Sequence, residues 1–224
     1  YLPAIIRHFG LSWVGYRFFY ALRQRLGLLR RQFPTAKWAA RALPQFLRDS
    51  AGVDSSAYFY LRPRDIPAFF FTPSDIQNYR VYFAHWEDAD ASPVSDSEGI
   101  RSGSFRYFAH NVVQSTFPPD WHENHLTGHK SPAKTHWSEI DDFDGGDIKL
   151  LWELSRFSFV YPLVRAYWRT GNERYAETFW QLVEDWREKN PPNCGVNWKC
   201  GQEIAIRVMA WCFGLYGFLN ARAT

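Results

Sequence analysis

The sequence is poor in several features that define protein classes. It has only three cysteines in 224 residues, Cys194, Cys200 and Cys212. Their number is odd and their spacing matches no zinc site, so we interpret them as small apolar residues, with one disulfide allowed and none required. The longest uncharged apolar stretch, residues 208–221, is shorter than the roughly 20 residues that a membrane-spanning helix needs. We therefore expect no transmembrane segment.

Motifs of common enzyme classes are also missing. The sequence has no G-x-S-x-G, P-loop or G-x-G-x-x-G pattern, which excludes the usual nucleophile elbows and nucleotide cradles. His122, His125 and His129 lie close together, but the first two are three residues apart and do not form H-E-x-x-H. We prefer polar loop histidines beside Trp121 and Trp137, at the wall of a site, over a zinc centre. No metal and no cofactor are expected.

Acidic residues are absent from the first 48 positions, which hold nine of the 26 Arg and Lys residues. The rest of the chain contains the other 17 basic residues and all 23 acidic ones. Such asymmetry favours an anionic partner, or it is simply the solvated face of a basic helix. No helix-turn-helix, zinc-finger or RNP signature accompanies the basic residues, so nucleic acid is not the expected partner.

Aromatic residues, in contrast, are abundant, at 19% of the chain with 11 Trp. Most must pack, but such an excess also suits flat ligands and sugar rings. A 46% hydrophobic and 22% charged composition predicts a globular protein, and 224 residues predict one domain. The chain begins at Tyr1 without a signal-peptide pattern, so we expect a piece, or a mature form, of a longer protein.

Helical periodicity dominates both ends of the chain. Residues 3–30 predict a helix that Gly27 weakens, and residues 35–49 predict a second one. Residues 146–172 predict a helix kinked at Pro162, followed by a one-sided helix that stops near residue 190 and by a last helix, from Gly201, that is apolar almost all round. Between residues 52 and 145 the pattern breaks up, although residues 103–113 alternate weakly like a strand or hairpin.

A one-sided helix followed by one apolar all round is the pattern that the outer and inner helices of a double-layered ring require. The predicted fold is therefore mainly α, an incomplete α/α toroid with a short irregular or β segment around residues 60–115. We divide the chain into basic N-terminal helices (1–50), an irregular connecting segment packed on the toroid (51–145) and the start of the toroid (146–224), all within one C-terminally truncated domain.

Two of these helices carry charged stripes. Lys149, Glu153 and Arg156 recur at i, i+4 and i+7, and Glu203 and Arg207 repeat the i, i+4 spacing. Buried charge is costly unless it is paired. The stripes therefore predict an internal ion-pair network, or a wet central cavity in which arginine binds a ligand's carboxylate or sulfate. The two interpretations are compatible, because an ion pair can orient an arginine.

Three stretches together resemble the N-terminal helical domain of the bacterial heparinase II/III-like polysaccharide lyases: PPDWH at 118–122, DIKLLWELSRF at 147–157 and NPPNCGVNWKCGQEIAIRVMAW at 190–211. The resemblance spans about residues 100–220. It implies an α/α toroid followed by β-sandwich layers, β-elimination on uronate-containing polysaccharides such as glycosaminoglycans or alginate, and a periplasmic or secreted location. An acidic polysaccharide is thus the expected partner.

The resemblance also implies that the family's neutralising Asn, and its Tyr and His, lie beyond Thr224. The catalytic residues are then unknown, and the chain alone is expected to be inactive. What remains is a cavity wall with Asn197 and Trp198 at a helix mouth and Glu203 and Arg207 behind them. The other candidate substrate-binding residues are Trp121, His122, Lys149, Glu153 and Arg156.

Two alternatives stay open. One is a toroid glycoside hydrolase that uses Asp144 or Asp147 with Glu203 as its acid pair, which an ultraviolet-absorbing unsaturated product would exclude. The other is a non-catalytic protein whose basic first 48 residues bind an acidic polysaccharide or a membrane surface. If the chain alone proved active, Tyr107, His122 and Tyr161 would be its acid–base candidates.

Overall fold

The computed structural model describes residues 2–40, 71, 75–84, 92–143 and 145–224, and these residues are mainly helical. They form eight α-helices: α1 (Leu2–Arg25), α2 (Leu28–Gln32), α3 (Ile76–Ala84), α4 (Pro93–Arg101), α5 (Lys149–Ser155), α6 (Val160–Thr170), α7 (Arg174–Lys189) and α8 (Gly201–Gly217). Short 3₁₀ turns occupy Trp38–Ala40, Trp137–Glu139 and Val196–Trp198. The predicted mainly α fold is confirmed, whereas the ring itself stays a prediction, as does the division into three segments.

Two small antiparallel sheets lie between α4 and α5. Strand β1 (Ser104–Tyr107) pairs with β2 (Asn111–Gln114), and β3 (Glu123–Asn124) pairs with β4 (His129–Lys130). The β1–β2 pair confirms the hairpin predicted at residues 103–113.

The rest of the segment around residues 60–115 was predicted to be irregular, and for its described part this is wrong. Helices α3 and α4 lie there. Helix α4 is only nine residues long, and its buried side includes Ser97 beside Pro93 and Ile100. An apolar period is therefore too weak to read in the sequence.

Helix α6 is the centre of the helical core and packs against α3, α4, α7 and α8. Its Trp168 donates its indole N–H to the carbonyl oxygen of Gly217 at 2.8 Å, so the C-terminal ends of α6 and α8 meet. Helix α7 runs the other way, since Phe179 near its start contacts Phe218 and Trp186 near its end contacts Trp211. This alternation of direction is what a double-layered helical ring would repeat.

The boundary between α5 and α6 corrects one expectation. The chain was expected to kink at Pro162, but the helix breaks earlier, at Phe157, which is fully buried with φ 59°. Pro162 lies in the first turn of α6, where the N–H that proline lacks has no intrahelical partner in any case. Helix α6 ends at Gly171, whose left-handed backbone, with φ 68°, caps it.

Helix α8 is not buried all round, which corrects a second expectation. Its buried residues include Glu203, Arg207 and Gly214, while Val208 and Met209 are 49% and 54% exposed. The described neighbours cover one side of this helix only. The one-sided burial predicted for α7, with Tyr175, Phe179, Leu182 and Trp186 inside, is confirmed.

The N-terminal helices are attached to the body through the contacts of Gln24 and Arg30 with residues 138 and 139 and through residues 33–38, which lead into the 3₁₀ turn. The indole N–H of Trp38 donates to the carbonyl oxygen of Asn190 at 3.1 Å, and the Asn193 side chain donates to that of Pro34 at 2.9 Å. Of the helix predicted over residues 35–49, only the 3₁₀ turn is observed, and residues 41–49 lie outside the described residues. No helix in the described part is long and apolar enough to cross a membrane.

Close packing of α6, α7 and α8 requires glycine at position 214. A Cβ there would lie 2.5 Å from the Phe179 ring and 2.8 Å from a Val160 methyl carbon. We therefore expect Gly214→Ala to destabilise the fold by about 1–3 kcal/mol, because overpacking outweighs the better helix propensity of alanine. Urea unfolding followed by circular dichroism measures this change.

Gly201 provides the matched control, since it lies on the same helix and a Cβ there meets nothing within 4 Å. Gly201→Ala should leave the stability unchanged or raise it slightly. Equal effects of the two substitutions would contradict the close approach of the three helices.

Candidate functional site

Three stretches of the chain meet at one end of the helical core, where α6 and α8 begin and α7 ends. The indole N–H of Trp121 donates to Asp185 at 2.6 Å, and the Asn197 side chain donates to the backbone oxygen of Trp121 at 3.0 Å. Trp152 donates to the backbone oxygen of Val196 at 2.9 Å. We call this region, residues 118–125, 147–159 and 190–203, the loop end.

The two charged stripes contact each other at the loop end. The Arg156 guanidinium donates to both oxygens of Glu203, at 2.6 and 2.7 Å, and also to Glu153. Glu153 and Glu203 are only 6% and 4% exposed. Hydrogen bonding to Glu203, helped by the charge of Glu153, raises the pKa of Arg156. The predicted ion-pair network between neighbouring helices is therefore present.

Arg207 completes the cluster from inside the core, where it is 2% exposed. Its Nε donates to the carbonyl oxygen of Ser155 at 2.7 Å, and its Nη2 to that of Asn197 at 3.0 Å. The guanidinium carbon lies 4.2 Å from the centre of the Trp186 ring. Burial lowers the pKa of Arg207 to about 9, against the charge of Glu203, so the side chain stays cationic at neutral pH.

The charges in this cluster balance, because Arg156 and Arg207 offset Glu153 and Glu203. A pair of buried charges needs such compensation to persist away from water. The cluster also joins α5 to α8 and both to the Val196–Trp198 turn. In this structure Arg207 therefore binds the protein's own groups. The space around its guanidinium, for which the sequence suggested a wet cavity, is occupied by Trp186 and the backbone.

Asn197 and Trp198 lie just before α8, at the predicted helix mouth. Asn197 is fully buried, and its amide nitrogen donates to Asn190 as well as to Trp121. Its Oδ1 has no hydrogen-bond partner, and neither has the buried indole nitrogen of Trp198. Trp198 is half-buried and packs on Trp38 and Trp186.

Trp121 and His122 lie in the interior. Trp121 is 1% exposed and stacks on Phe157, with 5.3 Å between ring centres. Because a carbonyl oxygen can only accept, the His122 Nε2 must donate to that of Lys189, at 3.2 Å. Its buried Nδ1 has no partner. Burial lowers the pKa of His122, so the ring is neutral at neutral pH.

Exposure divides the nine predicted substrate-binding residues into two groups. Lys149, with 62% of its side chain exposed, lies 3.8 Å from Asp147, and 22% of the Arg156 side chain is exposed. With half-buried Trp198, these are the members that a ligand reaches. The other six are buried: Trp121, His122, Glu153, Asn197, Glu203 and Arg207.

The clustered histidines do not converge on a common centre. His125 directs its Nε2 to the backbone oxygen of Asp120 at 3.0 Å, and His129 lies against Gly145, where a Cβ would clash with its ring. Among the residues that the structure describes, no group of three His, Cys, Asp or Glu side chains could hold a metal. The three cysteines are free thiols.

The acid pair suggested for a hydrolase finds no geometric support. Asp147 lies at the start of α5 and accepts from the backbone N–H of Lys149 at 3.0 Å, while Asp144 lies outside the described residues. Both oxygens of Glu203 accept from Arg156. Glu203 is therefore engaged in an ion pair and, at 4% exposure, is poorly placed to reach a glycosidic bond.

A cavity of about 450 Å³ beside Glu153 was not predicted from the sequence. Its lining includes Phe105 and Arg106 of β1, Ala109 of the hairpin turn and Phe159. Ala109 and its neighbour Phe108 both have positive φ, 65° and 49°. The only signal in the sequence was the short distance between the two hairpin strands. It does not indicate a cavity, because a turn without glycine gives no sign of its positive-φ backbone.

Tyr107, on the same hairpin, is 1% exposed and its hydroxyl has no partner. Burial, followed by the charges of Glu153 and Glu123, raises the pKa of Tyr107. A tyrosine so perturbed does not ionise near neutral pH. Its hydroxyl can donate a hydrogen bond, but the side chain is poorly suited to act as a general base or a general acid.

The buried ion cluster generates a stability prediction. We expect Glu203→Gln to destabilise the fold by about 3–5 kcal/mol, because it leaves Arg156 and Arg207 with a single compensating carboxylate. Glu139→Gln is the control, since Glu139 pairs with Arg30 on the surface and should change stability by about 1 kcal/mol or less. Denaturant titration compares the two, and a near-neutral Glu203→Gln would contradict the cluster's role.

His122 generates a prediction of pH dependence. It stays neutral in the folded state, whereas the unfolded chain protonates it near pH 6.5. Stability is therefore expected to fall as the pH drops below 6.5 towards the lower folded pKa, by at most about 1.4 kcal/mol per pH unit for this group. His122→Asn should flatten that slope relative to the wild type. Replacement of the exposed His110 by Asn should not, and equal slopes in all three proteins would contradict the assignment.

Comparison with known proteins bears on the same part of the chain. Residues 38–223 match the family described as heparinase II/III N-terminus, and this match contains the whole loop end. No curated protein and no solved structure matches the chain. The family match covers well over half of the 224 residues and agrees with the resemblance of the three stretches. The chain therefore belongs to the heparinase II/III N-terminus family.

Proposed function

We propose that this chain is the N-terminal helical part of a polysaccharide lyase that cleaves uronate-containing polysaccharides by β-elimination. Its loop end would form part of the substrate cleft. One observation carries the proposal: the three stretches that resemble the lyase family, far apart in sequence, meet at the loop end, beside one charge-balanced cluster. A rigid, polar end of a helical core is a suitable wall for a polymer cleft.

The chemistry defines what such a wall must supply. Elimination beside a uronate needs the sugar carboxylate neutralised so that the C5 proton becomes removable, then a base for that proton and an acid for the leaving oxygen. Cationic and aromatic side chains along the cleft hold the polymer in position for these steps.

The exposed members of the loop end fit the binding part of this task. Lys149 presents an ammonium group, and Arg156, with 22% of its side chain exposed, has a guanidinium whose orientation Glu203 and Glu153 fix. Trp198 supplies an aromatic ring at the start of α8. Cations suit the carboxylates of an acidic polymer, and an indole ring suits the apolar face of a sugar.

The buried members act as positioning residues in this proposal. Arg207 holds the carbonyl oxygens of Ser155 and Asn197, and so sets the distance between α5 and the turn that carries Trp198. Asn197 in turn joins that turn to Trp121. Their influence on substrate would pass through Arg156 and Trp198.

The catalytic base is assigned outside the described residues. Tyr107 is buried and hard to ionise, and the His122 ring is enclosed by the carbonyl of Lys189 and by Gly195. Tyr161 packs against Phe213, with 4.8 Å between ring centres. The neutralising Asn and the acid–base pair would come from a longer protein, with a β-sandwich after the toroid and a periplasmic or secreted location in a bacterium.

Binding to a polyuronate tests the role of the loop end. We expect the chain to bind alginate or polygalacturonate, without cleaving it, and Lys149→Gln to weaken binding about two- to fivefold, the usual worth of one exposed ionic contact. Arg169→Gln is the matched control. It removes one positive charge from an exposed position in the last turn of α6, at the opposite end of the core. Isothermal titration calorimetry at fixed salt compares the variants.

Equal weakening by both substitutions would mean that net charge, and not the loop end, attracts the polymer. Activity is tested separately, in a longer protein that contains this chain, by the ultraviolet absorbance of unsaturated uronate ends. New reducing ends without that absorbance would favour the hydrolase alternative. Unsaturated product from the 224-residue chain alone would contradict the placement of the base.

A further inference from the structure

Helix α1 exposes an unusual amount of apolar surface. More than half of the large hydrophobic residues found exposed in the described part of the chain lie between Ile5 and Phe33. Of residues 3–36, Leu29 alone is buried. Monomeric soluble proteins rarely keep such a contiguous patch open, and large ones mark interaction sites.

The contacts of α1 define which of its faces points outward. Gln24 donates to the carbonyl oxygen of Ser138 at 2.7 Å, and Tyr20 is half-buried near Asp142. The opposite side of the helix carries Leu11, Phe18 and Leu22, spaced by seven and four residues and thus on one stripe.

These three side chains are 72%, 68% and 39% exposed, and Phe19 beside them is 63% exposed. We call Leu11, Phe18, Phe19 and Leu22 the outward face.

Helix α1 is kinked at Gly10, where φ is 82°. After the kink Arg25 borders the outward face, Arg17 and Arg23 lie about 120° around the helix from it, and no acid on the same helix offsets them. Residues 2–25 contain Arg7, Arg17, Arg23 and Arg25 and no Asp or Glu. Among the described residues, no carboxylate forms a salt bridge with any of these four. Arg17 lies near the rings of Trp13 and Tyr20, at 6.0 and 5.8 Å. The occupant of the outward face must therefore be apolar on one side and anionic at its border.

We propose that α1 lies in the surface of an anionic lipid membrane, with the outward face among the acyl chains and the arginines at the phosphate level. A helix that exposes leucine and phenylalanine, carries long arginine side chains that reach past them and adds aromatic rings is suited to lie in a membrane surface. The segment at 33–38 then holds the helical core next to the membrane.

A lipid surface fits this face better than an acidic polymer does. Sugar rings stack on Trp and Tyr, whereas the outward face carries Leu and Phe, which gain nothing from a hydrated polysaccharide but are stabilised in hydrocarbon. The family match starts at residue 38 and leaves α1 outside. The inference therefore stands independently of the polysaccharide-lyase proposal.

Vesicle co-sedimentation of the 224-residue chain tests the inference. We expect binding to phosphatidylcholine vesicles that contain phosphatidylglycerol, and much weaker binding to phosphatidylcholine alone. L11S/F18S/L22S should lower partitioning at least about tenfold, since it removes three apolar side chains that the lipid would bury. R7Q/R17Q/R25Q should weaken binding to the anionic vesicles by about fivefold per charge and leave the remaining apolar binding intact.

The matched control is L126S/F143S/V208S, which removes three large apolar side chains exposed elsewhere on the chain, at 53%, 83% and 49%. This variant should bind vesicles like the wild type. Circular dichroism verifies that all variants are folded.

Four outcomes would overturn the inference. The first is an absence of wild-type binding to anionic vesicles. The second is equal loss of binding in L11S/F18S/L22S and the control. The third is a wild-type dimer in light scattering that L11S/F18S/L22S dissociates without lipid binding, which would assign the outward face to a second copy of the chain. The fourth is an L11S/F18S/L22S variant that loses polyuronate binding but still binds vesicles like the wild type.

Discussion

A buried guanidinium holds the loop end together. A buried arginine is costly unless its charge is balanced and its N–H groups are hydrogen-bonded. Glu203 balances the charge of Arg207, two backbone carbonyls accept from it, and the Trp186 ring packs on its guanidinium. Each of these groups lies on a different segment. Pairing one charge therefore fixes α5, α7, α8 and the turn before α8 relative to one another, and Arg156 is oriented as a result.

The fold was predictable where a single helix is long enough to show its own period. The stripe of α7 runs over sixteen residues, and Gly171 ends α6 because only a residue tolerant of positive φ fits there. Short helices such as α3 and α4 repeat too few apolar positions to be recognised. The break at Phe157 escaped prediction because tertiary packing, with Trp121 stacked on the ring, and not local propensity, selects its αL backbone.

The candidate site was predictable in its partners but not in its accessibility. Because an unpaired buried stripe of charge is too costly, the two stripes predicted an ion-pair network or a wet cavity, and Arg156 does pair with Glu203. Whether Arg207 faces a cavity or a neighbour depends on how segments from distant parts of the sequence pack over it. A sequence pattern contains no such information, so the burial of Asn197 and Arg207 could not be predicted.

The hydrogen bonds at residues 33–38 have a consequence for synthesis on the ribosome. Trp38 and Pro34 are held by residues 152 and 159 positions further along the chain. At about 5–20 residues per second, translation takes on the order of ten seconds or more to supply those partners. During that interval the aromatic N-terminal helices exist without the body that anchors them, and they are free to engage a chaperone or a lipid surface first.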